Sequence, residues 1–247
     1  MNFDYIHVNS KDRTSDSNGS TDFQIILSQA LEFDEIQLNT LQMPYTYYNI
    51  NSLTNLLVIE WNSVQHNLTL TNGSYTLSEL QTELNSQVQT INSNISVTLD
   101  NNTWMFTFNF SSATPNTGQL LLSKSTINRL IGFPSTTDTS LSGSITSTIP
   151  ALTLDQSFIF ISINEIGTNV LSSTLNNKYS FYVPVSVNAG DMLLYTSNLD
   201  LDNKFKVSTS TKYISFRVRV YDTFGNILNI NNSDWSMIIK VFYKKKE

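Results

Sequence analysis

Imidazole, the side chain best suited to moving protons near neutral pH, occurs only at His7 and His66. The two fall in different predicted strands, with no carboxylate at a spacing that would make a relay, so each reads as an ordinary surface or edge residue. Cysteine is absent, which removes thiol nucleophiles, disulfides and thiolate zinc sites together. No glycine loop that could cradle phosphate, nucleophile elbow or His/Asp metal spacing is present. The acidic groups Asp34-Glu35 and Asp200-Leu201-Asp202 carry the oxygen donors a hard cation takes, but too few carboxylates lie near them to expect a calcium site. The sequence therefore predicts no catalytic residues, no cofactor and no metal, and the chain reads as a non-enzyme.

What remains are residues suited to contact. Tyr45, Tyr47 and Tyr48 place three tyrosines within four positions. They can form an aromatic contact surface, or staple a loop to the body of the protein with their hydroxyls wet. Together with Trp61, Tyr47 and Tyr48 also suit a carbohydrate- or receptor-binding sandwich of lectin or spike type, as stacking platforms. Formal net charge is −6 with 14 Lys plus Arg, so a phosphate backbone meets little counter-charge over the bulk surface. Nucleic acid is expected, if anywhere, only at Lys244-Lys245-Lys246, which equally reads as a solvated tail keeping the neighbouring strand soluble.

The elements that carry these residues follow from composition and period. Only 14% of residues are charged while Ser, Thr and Asn abound, a polarity of short side chains that suits strands and turns better than helices. The clearest strand is at 214–221, where Ile214, Phe216, Val218 and Val220 alternate with Ser215, Arg217, Arg219 and Tyr221. A second at 235–243 is apolar on both faces, which places it centrally and covered on both sides. No apolar run reaches the ~20 residues of a membrane span, and the first residues lack the charge and apolar pattern of a signal peptide.

Earlier in the chain, 9–21 is a polar run with nothing to bury, which predicts an extended N-terminal arm over 1–22 that orders against neighbours. Phe23, Ile25 and Leu27 mark the first core strand. Ile36, Leu38 and, after a slip at Thr40-Leu41, Met43 mark the second, which stops at Pro44. Strands follow at 57–61 and 64–70. After Gly73 the period changes: Leu77, Leu80, Leu84, Val88 and Ile91 share a helical face, with Thr76 and Glu79 as a capping box. A hairpin comes next, with Ile95, Val97 and Leu99 facing Trp104, Phe106, Phe108 and Phe110. Ser125 is positioned to cap a short helix that ends at Gly132, and 136–143 reads as loop. Strands are expected at 145–154, 158–163, 179–185 and 192–196. The prediction is an all-β, single jelly-roll β-sandwich over 23–247, with a small helix-plus-hairpin insertion at 73–133.

Several motifs in this order resemble one family. They are Asn9-Ser10-Lys11-Asp12-Arg13 before Asp22-Phe23, Leu41-Gln42-Met43-Pro44 running into Tyr48-Asn49-Ile50, and Asn72-Gly73-Ser74-Tyr75-Thr76 before the helix. Leu130-Ile131-Gly132-Phe133, Tyr221-Asp222-Thr223-Phe224-Gly225-Asn226 and Asn232-Ser233-Asp234-Trp235-Ser236 complete the set. Over nearly the whole chain they resemble the penton (vertex, or minor capsid) proteins of virophages, polinton-like viruses and related large double-stranded DNA viruses. The resemblance implies a vertical jelly roll, five copies of which plug an icosahedral vertex of the virion, assembled in the host cytoplasm or nucleus. It implies as partners a ring of double-jelly-roll major capsid proteins and other minor capsid proteins. The chain departs from the family in carrying Tyr45-Thr46-Tyr47 after the proline and in leaving no room for a large outer insertion domain. Independently, a closed ring needs two complementary lateral faces per subunit. The arm, the 45–51 loop and the 222–235 connection are the expected contact regions, with Arg13, Tyr45, Tyr47, Tyr48, Asn49, Phe224, Asp234 and Trp235 as interface residues. Asp234-Trp235 is the best single anchor, plain core being the competing role for a Trp at a strand start.

Overall fold

Where apolar residues alternate, as from Ile36 to Leu38 and from Phe216 to Val220, the backbone is strand. The computed structural model describes the chain apart from residues 1, 114, 116, 152–157, 167–169, 172–177, 189, 199–201, 208–211, 224 and 244–247. Two compact units emerge, one of Met1–Tyr47 with Gln156–Glu247 and one of Tyr48–Asp155. The first opens with β1 (Asn2–Asn9), β2 (Asp22–Leu31) and β3 (Glu35–Pro44). The second comprises β4 (Leu56–Trp61), β5 (Val64–Thr69), α1 (Leu77–Gln89), β6 (Ser96–Asp100), β7 (Met105–Asn109), β8 (Thr117–Leu120), β9 (Thr139–Ser142) and β10 (Ser144–Thr146). The chain then returns to the first unit with β11 (Phe158–Ile163), the short pair β12 (Val170–Leu171) and β13 (Lys178–Tyr179), and β14 (Phe181–Pro184). It ends there with β15 (Met192–Thr196), β16 (Lys204–Lys206), β17 (Tyr213–Tyr221) and β18 (Ser236–Tyr243).

In the first unit the pairing is nested. β1 pairs with β18, β2 with β17, β3 with β15 and β16, and β11 with β14, all antiparallel. An antiparallel ribbon of this kind, folded over on itself, yields one sheet of order β1-β18-β3 with β15 and β16 on the far edge of β3. The other sheet has the order β14-β11-β17-β2. That topology is a jelly roll. Phe23, Ile36, Leu38, Met43, Phe181, Phe216, Val218 and Ile239 fill the space between its sheets and are fully buried.

Two bulges set which side chains face that core. In β3 the register with β18 shifts between Leu38 and Thr40, so Ile36 and Leu38 point inward and, one phase later, so do Leu41 and Met43. This is the expected slip. In β17 the register with β2 shifts between Tyr213 and Ser215, which turns Tyr213 inward and leaves Ile214 63% exposed. Alternation alone placed Ile214 on the dry face, and the bulge reverses it. β18 is central between β1 and β3, as expected, but Ile238 and Lys240 on its second face are only half-buried.

The expected free arm is not an arm. Residues 2–9 pair along the full length of β18, and residues 10–21 fold back onto the edge of β2. Thr14 N donates to Gln24 O (2.9 Å), Asn18 N to Asp22 O (2.9 Å) and Gln24 N to Ser17 Oγ (3.1 Å). Ser10 and Ser20 are buried. A polar run can be tied down through backbone and short side-chain hydrogen bonds, which hydrophobic patterning does not register.

The second unit, Tyr48–Asp155, is wider than the 73–133 helix-plus-hairpin insertion expected. It has a four-stranded sheet, β5-β4-β8-β9, a three-stranded sheet, β10-β7-β6, and α1. Leu80, Leu84 and Val88 of α1 enter a core shared with Leu57, Ile59, Phe106, Phe108 and Leu120. Gln81 Nε2 donates to Val97 O (2.7 Å) and Asn85 Oδ1 accepts from Val97 N (2.9 Å), so helix side chains satisfy the outer edge of β6. The capping box forms: Thr76 Oγ1 accepts from Glu79 N (3.2 Å) and Glu79 Oε2 accepts from Thr76 N (2.8 Å). Thr76→Ala is expected to lower the stability of this unit by about 1 kcal/mol, read as a shift of the denaturant midpoint at unchanged slope.

Four local expectations in this unit fail in whole or in part. The Ser125 helix is replaced by turns, because Ser125 Oγ accepts from Val58 N (2.8 Å) and so serves β4. Residues 139–142 form β9 against β8 where a loop was expected. Trp104 has φ 58° at the end of the β6–β7 turn and is 48% exposed, outside the dry face assigned to it. Of the expected strand at 145–154, β10 takes only 144–146, and 152–154 lie outside the described residues.

Candidate interaction surface

Trp235 is built into the first unit. Its indole Nε1 donates to Ser20 O (2.6 Å), its backbone N donates to Ser10 Oγ (2.9 Å), and Ser10 N returns a bond to Trp235 O (2.9 Å). The ring meets Phe23 edge-on at 5.8 Å, and the residue is 3% exposed. Of the two roles open to it, core and contact, its burial among the jelly-roll core residues matches the first. Arg13 and Asp234 stay near the surface. Arg13 Nη1 donates to Asp234 Oδ1 (3.0 Å) and to Ser10 O (2.7 Å), which pins the turn after β1 against the start of β18.

The tyrosines separate. Tyr45 is 2% exposed and stacks on Tyr47 at 6.4 Å, and burial pushes its hydroxyl up to about 12. Tyr47 packs on the jelly-roll core, and only Tyr48 stands exposed. Between them Thr46 Oγ1 donates to Ile230 O (2.6 Å) and Asn231 Nδ2 donates to Thr46 O (2.6 Å). Asn49 is a local clamp: its amide donates to Tyr75 O (2.8 Å) and accepts from Tyr75 N (2.9 Å). Trp61, in the second unit, donates its indole N–H to Pro115 O (3.0 Å). Tyr47 is thus committed to the core of one unit and Trp61 to a bond in the other. In the 222–235 connection Asp222 caps its own turn by accepting from Asn226 N (2.8 Å), while Leu228 and Ile230 enter the core. Phe224 lies outside the described residues, as does the Lys244–Lys246 tail.

Charge is concentrated on the outer face of the β2–β17 pair. The Asp22 carboxylate accepts from Arg217 Nε (2.8 Å) and Nη2 (3.0 Å), Arg219 Nε (3.2 Å) and Asn18 Nδ2 (2.7 Å). Burial works to raise its pKa, but the bonds from Arg217 and Asn18 and the charges of the two arginines outweigh this and hold it below the ordinary value of 3.8. A depressed folded pKa stabilises the protein above the unfolded value of about 3.9, and that contribution is lost as pH falls through the folded value. Asp22→Asn is therefore expected to flatten the acid limb of the stability curve below about pH 4. Asp22→Ala is expected to cost about 2 kcal/mol at pH 7, measured by denaturant titration across pH. Elsewhere Glu35 pairs with Lys204 (2.9 Å). Asp200 and Leu201 lie outside the described residues. His7 and His66 sit in β1 and β5, and among the described residues no group of three His, Cys, Asp or Glu gathers where it could hold a metal. No described helix is long and apolar enough to cross a membrane.

The two open sides of the jelly roll differ, and sequence reasoning missed this. Where β14 and β16 end the two sheets, Asn203 closes the gap. Its Oδ1 accepts from Tyr182 N (3.1 Å) and its Nδ2 donates to Tyr182 O (2.8 Å) and Tyr195 Oη (2.8 Å). One amide stands in for a strand partner along the outer edge of β14. Opposite, where β1 and β2 end the sheets, no such bridge exists among the described residues, and a groove of ≈ 450 Å³ runs between Asp4–Asn9 and Ile25–Leu31. Apolar residues stand exposed on both sides: Tyr5 and Ile26 at the groove, Met192 and Leu194 on β15. The available signal was Ile26, an isoleucine on the wet face of an otherwise regular alternation.

Among solved structures, the mavirus penton protein shares the fold, with a TM-score of 0.54, 9% identity, and coverage of 98% of this chain and 99% of that one. A chain from the cryo-EM structure of the Sputnik virophage aligns at TM-score 0.47 and 11% identity, over 99% of this chain and 98% of its own. A scan of family models and a search of curated proteins each match nothing.

Proposed function

We propose that the protein is a capsid structural protein, a penton subunit that forms a homopentamer at the icosahedral vertices of a virion and carries no enzymatic role. Its neighbours there are major capsid proteins of the double-jelly-roll type and other minor capsid proteins. One observation carries this reading: the likeness of fold to a penton protein covers almost the whole of both chains. The ordered motifs from Asn9-Ser10-Lys11-Asp12-Arg13 to Asn232-Ser233-Asp234-Trp235-Ser236 support the same family independently of the fold. A jelly roll with two open sides of different character supplies the pair of unlike lateral faces that a closed ring requires.

Native mass spectrometry of the purified chain tests the ring. The expected species contains five copies of the 27.9 kDa chain, about 140 kDa in all. A species that stays monomeric at every concentration, and fails to enter shells when mixed with a double-jelly-roll capsid protein, overturns the reading.

A further inference from the structure

We propose that the groove between β1 and β2 seats the β15–β16 edge of a second copy of this chain, so that neighbouring copies join head to tail. The inference rests on the ring reading and adds which two surfaces meet.

The groove is the unsealed side of the sandwich. Asn203 occupies the backbone of β14 on the far side, and residues 14–18 cover the first part of the β2 edge. Beyond Gln24 that cover ends, and the groove is floored by Ile6, Ile25 and Leu27. Ile26 at its rim is 71% exposed, and Leu194 on the opposite side of the unit is 65% exposed. Apolar residues on a sheet edge invite pairing with another chain, and a stable monomer normally blunts them. Here both edges are left apolar.

Charge selects the partner. The ionisable residues lining the groove are Asp4, His7 and Asp12, with no Lys or Arg among them. On the opposite edge strand, Lys204-Phe205-Lys206, Lys204 is already paired with Glu35 (2.9 Å), and Lys206 is the exposed cation. Two grooves facing each other would set carboxylates against carboxylates, and two β16 edges would set lysine against lysine. Groove against edge pairs opposite signs and covers Ile26 and Leu194 with apolar surface. Because the two surfaces are different, the contact is heterologous, the kind that propagates from copy to copy until a rotation closes it.

The test uses Ile26→Asp and Leu194→Asp in the full chain, both at exposed positions where the fold is retained, as checked by an unchanged melting curve. Tyr5→Asp and Met192→Asp repeat the test at the same two surfaces. Native mass spectrometry is expected to show wild-type rings of five, and each variant alone as a monomer. An equimolar mixture of Ile26→Asp and Leu194→Asp is expected to give dimers containing one of each, because only one sound junction can form between them. If the variants still assemble as the wild type does, the groove is not the contact, although the ring stands. A mixture that stays monomeric shows that the two surfaces do not meet each other, and a wild-type chain that is monomeric throughout removes both the contact and the ring.

Discussion

Trp235→Ala is expected to destabilise the jelly-roll unit by about 3–5 kcal/mol and to lower its melting temperature by roughly 10 °C. The indole fills a site that is 3% exposed, against Phe23, and the truncation also strips Ser20 O of its buried donor. Trp235→Phe separates the two contributions, since it keeps most of the packing and loses only the hydrogen bond, and it is expected to cost about 1 kcal/mol. Calorimetry with native mass spectrometry on the same samples distinguishes packing from contact. A variant that melts with the wild type but no longer assembles would return Trp235 to the interface.

Gly132→Ala is expected to cost the second unit about 3 kcal/mol, with left-handed backbone strain and overpacking as comparable parts. Gly132 has φ +81°, and a Cβ there would run into Ile149 O and would lie 2.8 Å from Ser147 Oγ and 2.9 Å from Ser147 Cβ. The crowding is fixed by backbone, since Thr148 N and Ile149 N both donate to Gly132 O (3.0 and 3.2 Å). Gly132→Asn tests which part dominates. Asparagine tolerates a left-handed backbone better than alanine but brings the same Cβ, so it is expected to rescue little. The midpoint of the jelly-roll unit should not move in either variant, and a tolerated alanine would show that residue 132 is not held against residues 147–149.

What was legible in the sequence was whatever expresses itself within a few residues. The capping box of Thr76 and Glu79, the slip in β3 and the stop at Pro44 each have a local cause and each formed. The irregularity at the start of β17 was not legible, since Tyr213-Ile214-Ser215 reads as uninterrupted alternation and only the pairing shows that this stretch spans Leu31 to Ile26 of β2. Residues 10–21 misled because their anchoring is through polar backbone groups and buried serines, to which hydrophobic periodicity is blind. That Trp235 and Tyr45 lie buried was hidden for a related reason. Large aromatics mark both cores and interfaces, and which one is decided by long-range partners such as Ser20, 215 residues away. Ile26 carried a signal that was not used, because an apolar side chain on the wet phase of a strand has no role in the strand's own core.

The nested ribbon also dictates an order of events as the polypeptide leaves the ribosome. Every partner of a strand in residues 48–155 lies within that interval, so this part can acquire its shape while later codons are still unread. The jelly roll cannot. β1, β2 and β3 emerge first yet wait longest, because their mates are β18, β17 and β15, and the innermost couple, β11 with β14, is the first available. Zippering therefore proceeds from the fold of the ribbon outward, with the earliest-made strands left unmatched for most of translation. Those strands are what a chaperone has to shield, and a truncated product forfeits its outermost pair first.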